Sequence, residues 1–441
     1  MRSAIELAAL LLECVFDILL HWVACKMRLL SQLRAGTGPS LLRALSSHPT
    51  DIGKPPETLF GSLGGGVYDD FPPLVYHERY SADPWPPKHS FPMSKFSDLA
   101  ELLADSDGPL GAEGPLAMKA AFRPMERPPH EWFEAVHDPE YYRGFLEGTL
   151  DERAKRRIGL PYSKELVDRT LLEVSGTVLC ARLALKLGLA CNLAGGTHHA
   201  HKHFGSGYTI LNDLAVASRV VQGDGTASKV TIVDCDVHQG DGTATIFEDD
   251  PSVRTLSFHC QDNFPANKPV SSLSMPTWHT LRRSWATTTG TSLHALTFLA
   301  TPLRLYAFAK RIPLSLPRSL SKASDIDVGF PAGAGDDDLL SELLRVLPEE
   351  LTRNPPDLVL YDAGVDMHAG DRLGKMLISD EGLFARDYYV ISTCLGMGIP
   401  VACVVGGGYD GEKSVLARRH STVFTAAFKA WKDFDMRGKW R

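Results

Sequence analysis

No stretch of 18 apolar residues in this 441-residue sequence is free of charge, so no transmembrane helix is expected. An excess of basic residues is also missing. Lys and Arg total 46 against 53 Asp and Glu, a net charge of −7, which argues against a general nucleic-acid binder carrying a basic face. No C-x-x-C pair occurs among the eight cysteines (Cys14, Cys25, Cys180, Cys191, Cys235, Cys260, Cys394, Cys403). Most lie in apolar runs and read as reduced, buried thiols of an intracellular, reducing compartment. A secretory signal is not expected either: the apolar segment Ala4 to Leu30 is broken by Glu6, Glu13 and Asp17 and lacks a small-residue cleavage site. Acids are absent from Ile18 to Thr50, where Arg28, Arg34 and Arg43 recur. That segment reads as an organelle transit peptide (mitochondrion or plastid), as an amphipathic extension, or as sequence ahead of the true start. Nucleus and cytoplasm stay open beside the organelle.

Acids are missing a second time. Between Asp262 and Asp325 lie 62 residues with no Asp or Glu and eight Lys plus Arg. Simple proportion would place about seven acids there. The stretch reads as a basic insert facing substrate, as a loop without secondary structure, or as translated non-coding sequence such as a retained intron. The last of these is the favoured expectation, because the composition departs sharply from both flanks.

What is present is ordinary globular composition, 44% hydrophobic and 22% charged. Residues 51–73 are rich in Gly and Pro and read as a linker. The expected organisation is an N-terminal extension over 1–73, a catalytic domain over 74–430 interrupted at about 269–323, and a tail over 431–441. Val167 to Leu187 carries apolar residues at helical spacing. Short apolar runs follow, each ending in polar or glycine-rich sequence: Ala190–Leu193, Val230–Val233, Thr255–Ser257, Leu358–Tyr361 and Val401–Val405. Helical patterns over Asp338–Thr352 and Glu381–Gly396 lie between them. The alternation predicts an α/β fold with a central parallel sheet flanked by helices on both faces. In such sheets ligands bind beyond the carboxyl ends of the strands, so the polar ends should meet in one crevice.

Four clusters carry the chemistry. Gly195-Gly196-Thr197-His198-His199 puts two imidazoles after a turn, suited to proton transfer. His201 and His203 read as ordinary surface or core histidines without a role in the chemistry. In Asp234-Cys235-Asp236-Val237-His238, alternation would place Asp234, Asp236 and His238 on one strand face, a mixed donor set for a divalent transition ion. Asp362 to Asp371 follows another apolar run and can give that ion a second carboxylate, or can be a turn rich in capping Asp. Gly406-Gly407-Gly408-Tyr409 offers close backbone approach and a hydroxyl for a developing oxyanion.

Taken together, the clusters resemble the zinc-dependent histone deacetylase family, and look closest to its class IV and bacterial-type branch. The resemblance runs from about Leu74 to Ala427. It includes Leu74-Val75-Tyr76-His77, Phe91-Pro92-Met93, Gly195 to Asp213, Asp234 to Thr243, Ser257 to Pro265, Ser324 to Asp337, Tyr361 to Gly374 and Gly406 to Tyr409. It implies an arginase–deacetylase-type fold. It implies Asp236, His238 and Asp366 as ligands of Zn2+, and His198 and His199 as the tandem histidines, oriented by Asp234 and Asp241. Tyr409 becomes the oxyanion-stabilising tyrosine, while Gly207, Tyr208 and Phe264 line the acyl-lysine tunnel. Asp234, Asp236, His238, Ser257 and Phe258 match a monovalent-cation (K+) site. The implied reaction is hydrolysis of acyl-lysine on histones or other proteins, with a role in chromatin regulation. Acetylpolyamines or other small amides, and an inactive binding module, are the alternatives. No membrane span and no direct nucleic-acid partner are expected, and the oligomeric state stays open. In the family the segments like Asn263-Phe264-Pro265 and Ser324-Asp325-Ile326-Asp327 lie close together, so the acid-free insert departs from the pattern.

Overall fold

Four of the short apolar runs become strands buried from end to end, and the Thr255–Ser257 run becomes one buried except at Arg254. The computed structural model describes residues 70–266 and 324–437, all within one unit, Ile52–Arg441. Seven strands are formed: β1 (Leu74–Val75), β2 (Leu189–Asn192), β3 (Val230–Asp234), β4 (Val253–Cys260), β5 (Ile326–Phe330), β6 (Leu358–Asp362) and β7 (Val401–Val404). They make one sheet in the order β1-β2-β7-β6-β3-β4-β5, and every pairing is parallel. A parallel sheet needs cover on both faces, which is why its strands carry no polar alternation.

Helices flank the sheet. The longer ones are α1 (Lys95–Ala104), α2 (Lys164–Leu187), α3 (Asp213–Gly223), α4 (Asp336–Arg353), α5 (Asp380–Gly396) and α6 (Lys413–Asp433). α2 lies against β1, β2, β6 and β7, and α3 lies against α2. α5 meets β7, and α6 packs on α5 and α1. Side-chain caps set their starts. Ser163 accepts from the Leu166 N–H (3.0 Å), so α2 begins ahead of the expected Val167. Asn212 does the same for α3 and Ser379 for α5. β5 was not expected, since Asp327 and Gly329 interrupt its apolar pattern.

One expectation is corrected. Asp234, Asp236 and His238 do not share a strand face, because β3 stops at Asp234. Cys235 N–H still donates to the Asp362 carbonyl of β6 (3.0 Å), and Asp236 N–H then turns back onto the Asp234 carboxylate (3.0 Å). The Asp234 side chain competes for the backbone and ends the strand. β3 itself lies inside the sheet, between β6 and β4.

The expected insert over 269–323 lies outside the described residues, as do the extension up to residue 69 and the tail beyond 437. The six cysteines among the described residues are buried thiols. No helix among the described residues is long and apolar enough to cross a membrane.

A buried ion pair ties α2 to the turn that leads to the tandem histidines. Arg169 donates twice to Glu173 (2.5 and 2.6 Å) and once to the Tyr80 carbonyl (3.0 Å), and Glu173 accepts from Gly195 N–H (3.3 Å). Removing one partner leaves the other charge buried and alone. Arg169→Met is therefore expected to cost about 3–5 kcal/mol. The double variant Arg169→Met/Glu173→Leu should recover most of that loss. Urea midpoints of the two variants test this, and equal losses in both would contradict it.

Candidate metal centre and active site

Four neighbouring strands, β2, β7, β6 and β3, deliver their carboxyl ends to one place. β2 leads to His198 and His199, β3 to Asp236, His238 and Asp241, β6 to Asp366, and β7 to Gly407 and Tyr409. The crevice expected from the sequence is there.

Asp236, His238 and Asp366 each offer one donor atom, all within 4.8 Å of one another and all buried. His238 Nδ1 lies 3.0 Å from Asp236 Oδ1 and 3.1 Å from Asp366 Oδ2. Two carboxylates and one imidazole carry a formal charge that a divalent cation balances, and this O/O/N set suits zinc chemistry. The shortage of positive charge shows in the side chains themselves. Burial lowers His238, but the hydrogen bonds from Asp236 and Asp366 outweigh it and hold the imidazole up at about 10. Burial and the Asp236 charge push Asp366 up to about 7. The residues fit a metal ion.

Backbone groups aim the carboxylates. Gly407 N–H donates to Asp236 Oδ2 (2.8 Å), His238 N–H to Asp236 Oδ1 (2.9 Å) and Val237 N–H to Asp366 Oδ1 (2.8 Å). Gly407 must be glycine: a Cβ there would meet Asp366 Oδ2 at 2.3 Å and Asp236 Oδ2 at 2.4 Å.

The tandem histidines stand beside this set, their rings 4.1 Å apart. His198 Nδ1 pairs with Asp234 Oδ2 (2.7 Å) and His199 Nδ1 with Asp241 Oδ1 (2.6 Å). The two imidazoles diverge. Burial lowers His198, but Asp234 and Asp236 overcome it and hold it well above its ordinary range. Burial and the neighbouring His198 push His199 down to about 4. One is thus charged and the other neutral with a free Nε2, a division suited to electrostatic and base roles.

Tyr409 closes the site. Burial and the charges of Asp236 and Asp366 hold its hydroxyl well above the ordinary range, so it stays a donor. Its backbone is gripped twice by the loop that carries Asp366. Tyr409 N–H donates to Asp371 Oδ2 (2.6 Å), and Arg372 Nε donates to the Tyr409 carbonyl (2.6 Å).

Aromatic rings wall the approach. Phe264 stands edge-on to His199 (4.8 Å), Tyr208 lies 5.9 Å from Tyr409, and Phe91 lies 5.6 Å from Tyr208. Tyr208 has a left-handed backbone (φ 66°), a strained state for a non-glycine residue. Its N–H and that of Gly207 are held by the carbonyls of Ile158 (2.8 Å) and Arg157 (3.2 Å). A Cβ on Gly207 would meet His199 at 2.8 Å and Phe264 at 3.2 Å, so this glycine keeps the slot open. Of the residues expected at a monovalent-cation site, Ser257 sits opposite Asp234 in the β3–β4 register, with buried Phe258 next to it in β4.

Sequence reasoning missed several residues here. Lys95 is buried, donates to the Gly406 carbonyl (2.8 Å) and lies over the Phe91 and Tyr409 rings; burial and Arg169 push it down to about 8. Arg386 is fully buried and donates to the carbonyls of Cys235 (3.0 Å), Ala363 (3.2 Å) and Gly364 (2.6 Å), bracing both ligand loops. Both occupy positions on buried helix faces where the spacing calls for apolar residues, and that was the signal available. Asp362 is fully buried with no hydrogen-bond partner on either oxygen, and burial and Asp234 push it well above the carboxylate range.

Asp366→Asn removes one of the two charged donors. The purified variant is expected to hold well below one equivalent of metal by elemental mass spectrometry, with a far-UV spectrum like that of the parent. Full metal content would exclude Asp366 as a ligand.

Comparison with known proteins follows the same geometry. Residues 89–426 match the histone deacetylase domain. An uncharacterized protein of Picosynechococcus sp. is 43% identical over 355 residues, covering 80% of this chain and 98% of that protein. Histone deacetylase 2 of Arabidopsis thaliana is 26% identical over 73% of this chain and 70% of its own length. A polyamine deacetylase of Rattus norvegicus is 30% identical over 56% of this chain and 37% of its own length. The crystal structure of the HDA15 HD domain superposes with a TM-score of 0.56 at 20% identity, covering 81% of this chain and 90% of that one, which shows a shared arginase–deacetylase-type fold. By sequence match and by architecture, this chain belongs to the histone deacetylase family.

Proposed function

We propose that this protein is a zinc-dependent amide hydrolase that removes acetyl or other acyl groups from lysine side chains of proteins or peptides. One observation carries the reading. Two imidazoles each held at Nδ1 by a carboxylate, a two-carboxylate and imidazole donor set and Tyr409 meet beside the aromatic rings of Tyr208 and Phe264. Asp236, His238 and Asp366 would hold the ion, which when bound polarises the acyl carbonyl and lowers the pKa of water.

The chain's own residues do the rest. Tyr208, Phe264 and Phe91 take the aliphatic stem of the substrate and exclude water from it. His199 Nε2 accepts the proton of the attacking water, since Nδ1 is committed to Asp241. It then returns that proton to the leaving amine. His198, charged and fixed by Asp234, stabilises negative charge developing beside it. The Tyr409 hydroxyl donates to the former carbonyl oxygen, which becomes the oxyanion. Asp234, Asp236, His238, Ser257 and Phe258 are proposed to hold K+ through side-chain and backbone oxygens.

The rat relative's name supports acetylpolyamines as a second substrate class. The complete set of histidines, donors and tyrosine disfavours an inactive binding module. Turnover of a fluorogenic acetyl-lysine peptide and of acetylspermidine, with and without a hydroxamate chelator, distinguishes these readings. Activity on neither substrate would overturn the proposed chemistry.

His199→Ala is expected to abolish peptide turnover while metal stays near one equivalent. Tyr409→Phe should lower kcat by about 10²–10³-fold with a smaller change in KM. A rise in KM alone would assign the tyrosine to binding only.

A further inference from the structure

Asp241 holds two histidines, not one. Oδ1 takes His199, and Oδ2 faces Nε2 of His201 at 3.3 Å. Sequence reasoning assigned His201 no role in the chemistry. Its side chain is 15% exposed, so it sits where the buried site meets solvent.

Both ring nitrogens of His201 are engaged. Nδ1 lies 2.7 Å from Thr245 Oγ1, whose hydroxyl is also 3.0 Å from the Gly242 carbonyl. Nε2 faces a carboxylate oxygen, which accepts only, so Nε2 carries the proton of that bond.

The ring stacks on Phe204 (4.3 Å), and Arg157, from the helix Glu152–Ile158, also lies over the Phe204 ring (4.3 Å). From the helix Asp241–Ile246 the His201 ring faces Asp241 and Thr245. Beneath it, His137 Nδ1 meets the His201 carbonyl (3.0 Å), and burial pushes His137 down to about 4, so it adds no charge. Lys202 and His203 follow in the loop, His203 lying 3.6 Å from Asp138.

We propose that His201 is a positioning residue for the hydrolytic step, whose Nε2–H clamps the outer oxygen of Asp241 and so fixes the inner oxygen against His199. The chain His199–Asp241–His201 then runs from the base to the edge of the protein. This rests on the proposed amide hydrolysis, with His199 as base.

His201→Phe keeps the stack on Phe204 and loses both ring nitrogens. It is expected to lower kcat on the acetyl-lysine peptide by about 10–100-fold, the range for residues that orient a ligand or base, with KM little changed. His201→Gln can still donate to Asp241 and should restore most of that loss. Unchanged kcat in His201→Phe, or no rescue by His201→Gln, would overturn the proposal. A second readout does not need turnover. In protein labelled with 15N-histidine, the His199 Nδ1 resonance, bonded to Asp241, should shift in His201→Phe and return toward the parent position in His201→Gln. An unmoved His199 resonance in His201→Phe would overturn it too. If the parent hydrolyses no amide, the proposed activity falls, and this spectroscopic arm alone decides the role of His201.

Discussion

Negative charge concentrated below the surface is the constraint on which this structure depends. Asp234 and Asp362 end adjacent strands in register, Asp236 and Asp366 follow within a few residues, and all four are buried. A carboxylate withdrawn from water is costly unless it is paired, hydrogen-bonded, protonated or bound to a metal. The first three of these are used. Asp234 takes an imidazole, Asp236 and Asp366 take backbone N–H groups and share His238, and Asp362 is pushed toward its neutral form. Arg386 is drawn into the same region, but it is paired with Asp387 and spends its other donors on backbone carbonyls. The remaining deficit of positive charge lies at the three-donor set, where a divalent ion fits.

The parallel sheet makes this concentration possible. Parallel strands end together, so four chain segments distant in sequence bring their first loop residues to one edge. Apolar strands with polar successors are a strong written signature, and β2, β3, β6 and β7 were legible for that reason. Placing Asp236 and His238 correctly was not possible from periodicity. The end of β3 is decided by the Asp234 side chain capturing a backbone N–H, a tertiary detail that alternation does not record.

Other misses share a cause. Lys95 and Arg386 are charged residues at positions a helical pattern reserves for apolar ones, so pattern reading discounts them. His201 was assigned no role because nothing in its neighbourhood in sequence shows that Asp241 has a second oxygen to fill. β5 was hidden by Asp327 and Gly329 within its five residues. In each case the signal was a residue of the wrong polarity for its place, which is also where function concentrates.

The double grip on Tyr409 has a mechanical consequence. Asp371 and Arg372 seize its main chain from the loop that begins at Asp366, so the phenol and a metal-binding carboxylate ride on one stiff jaw. Anything that loosens this jaw at either end displaces both groups at once. Damage to the cation's seat and damage to the oxyanion's donor are therefore inherited together.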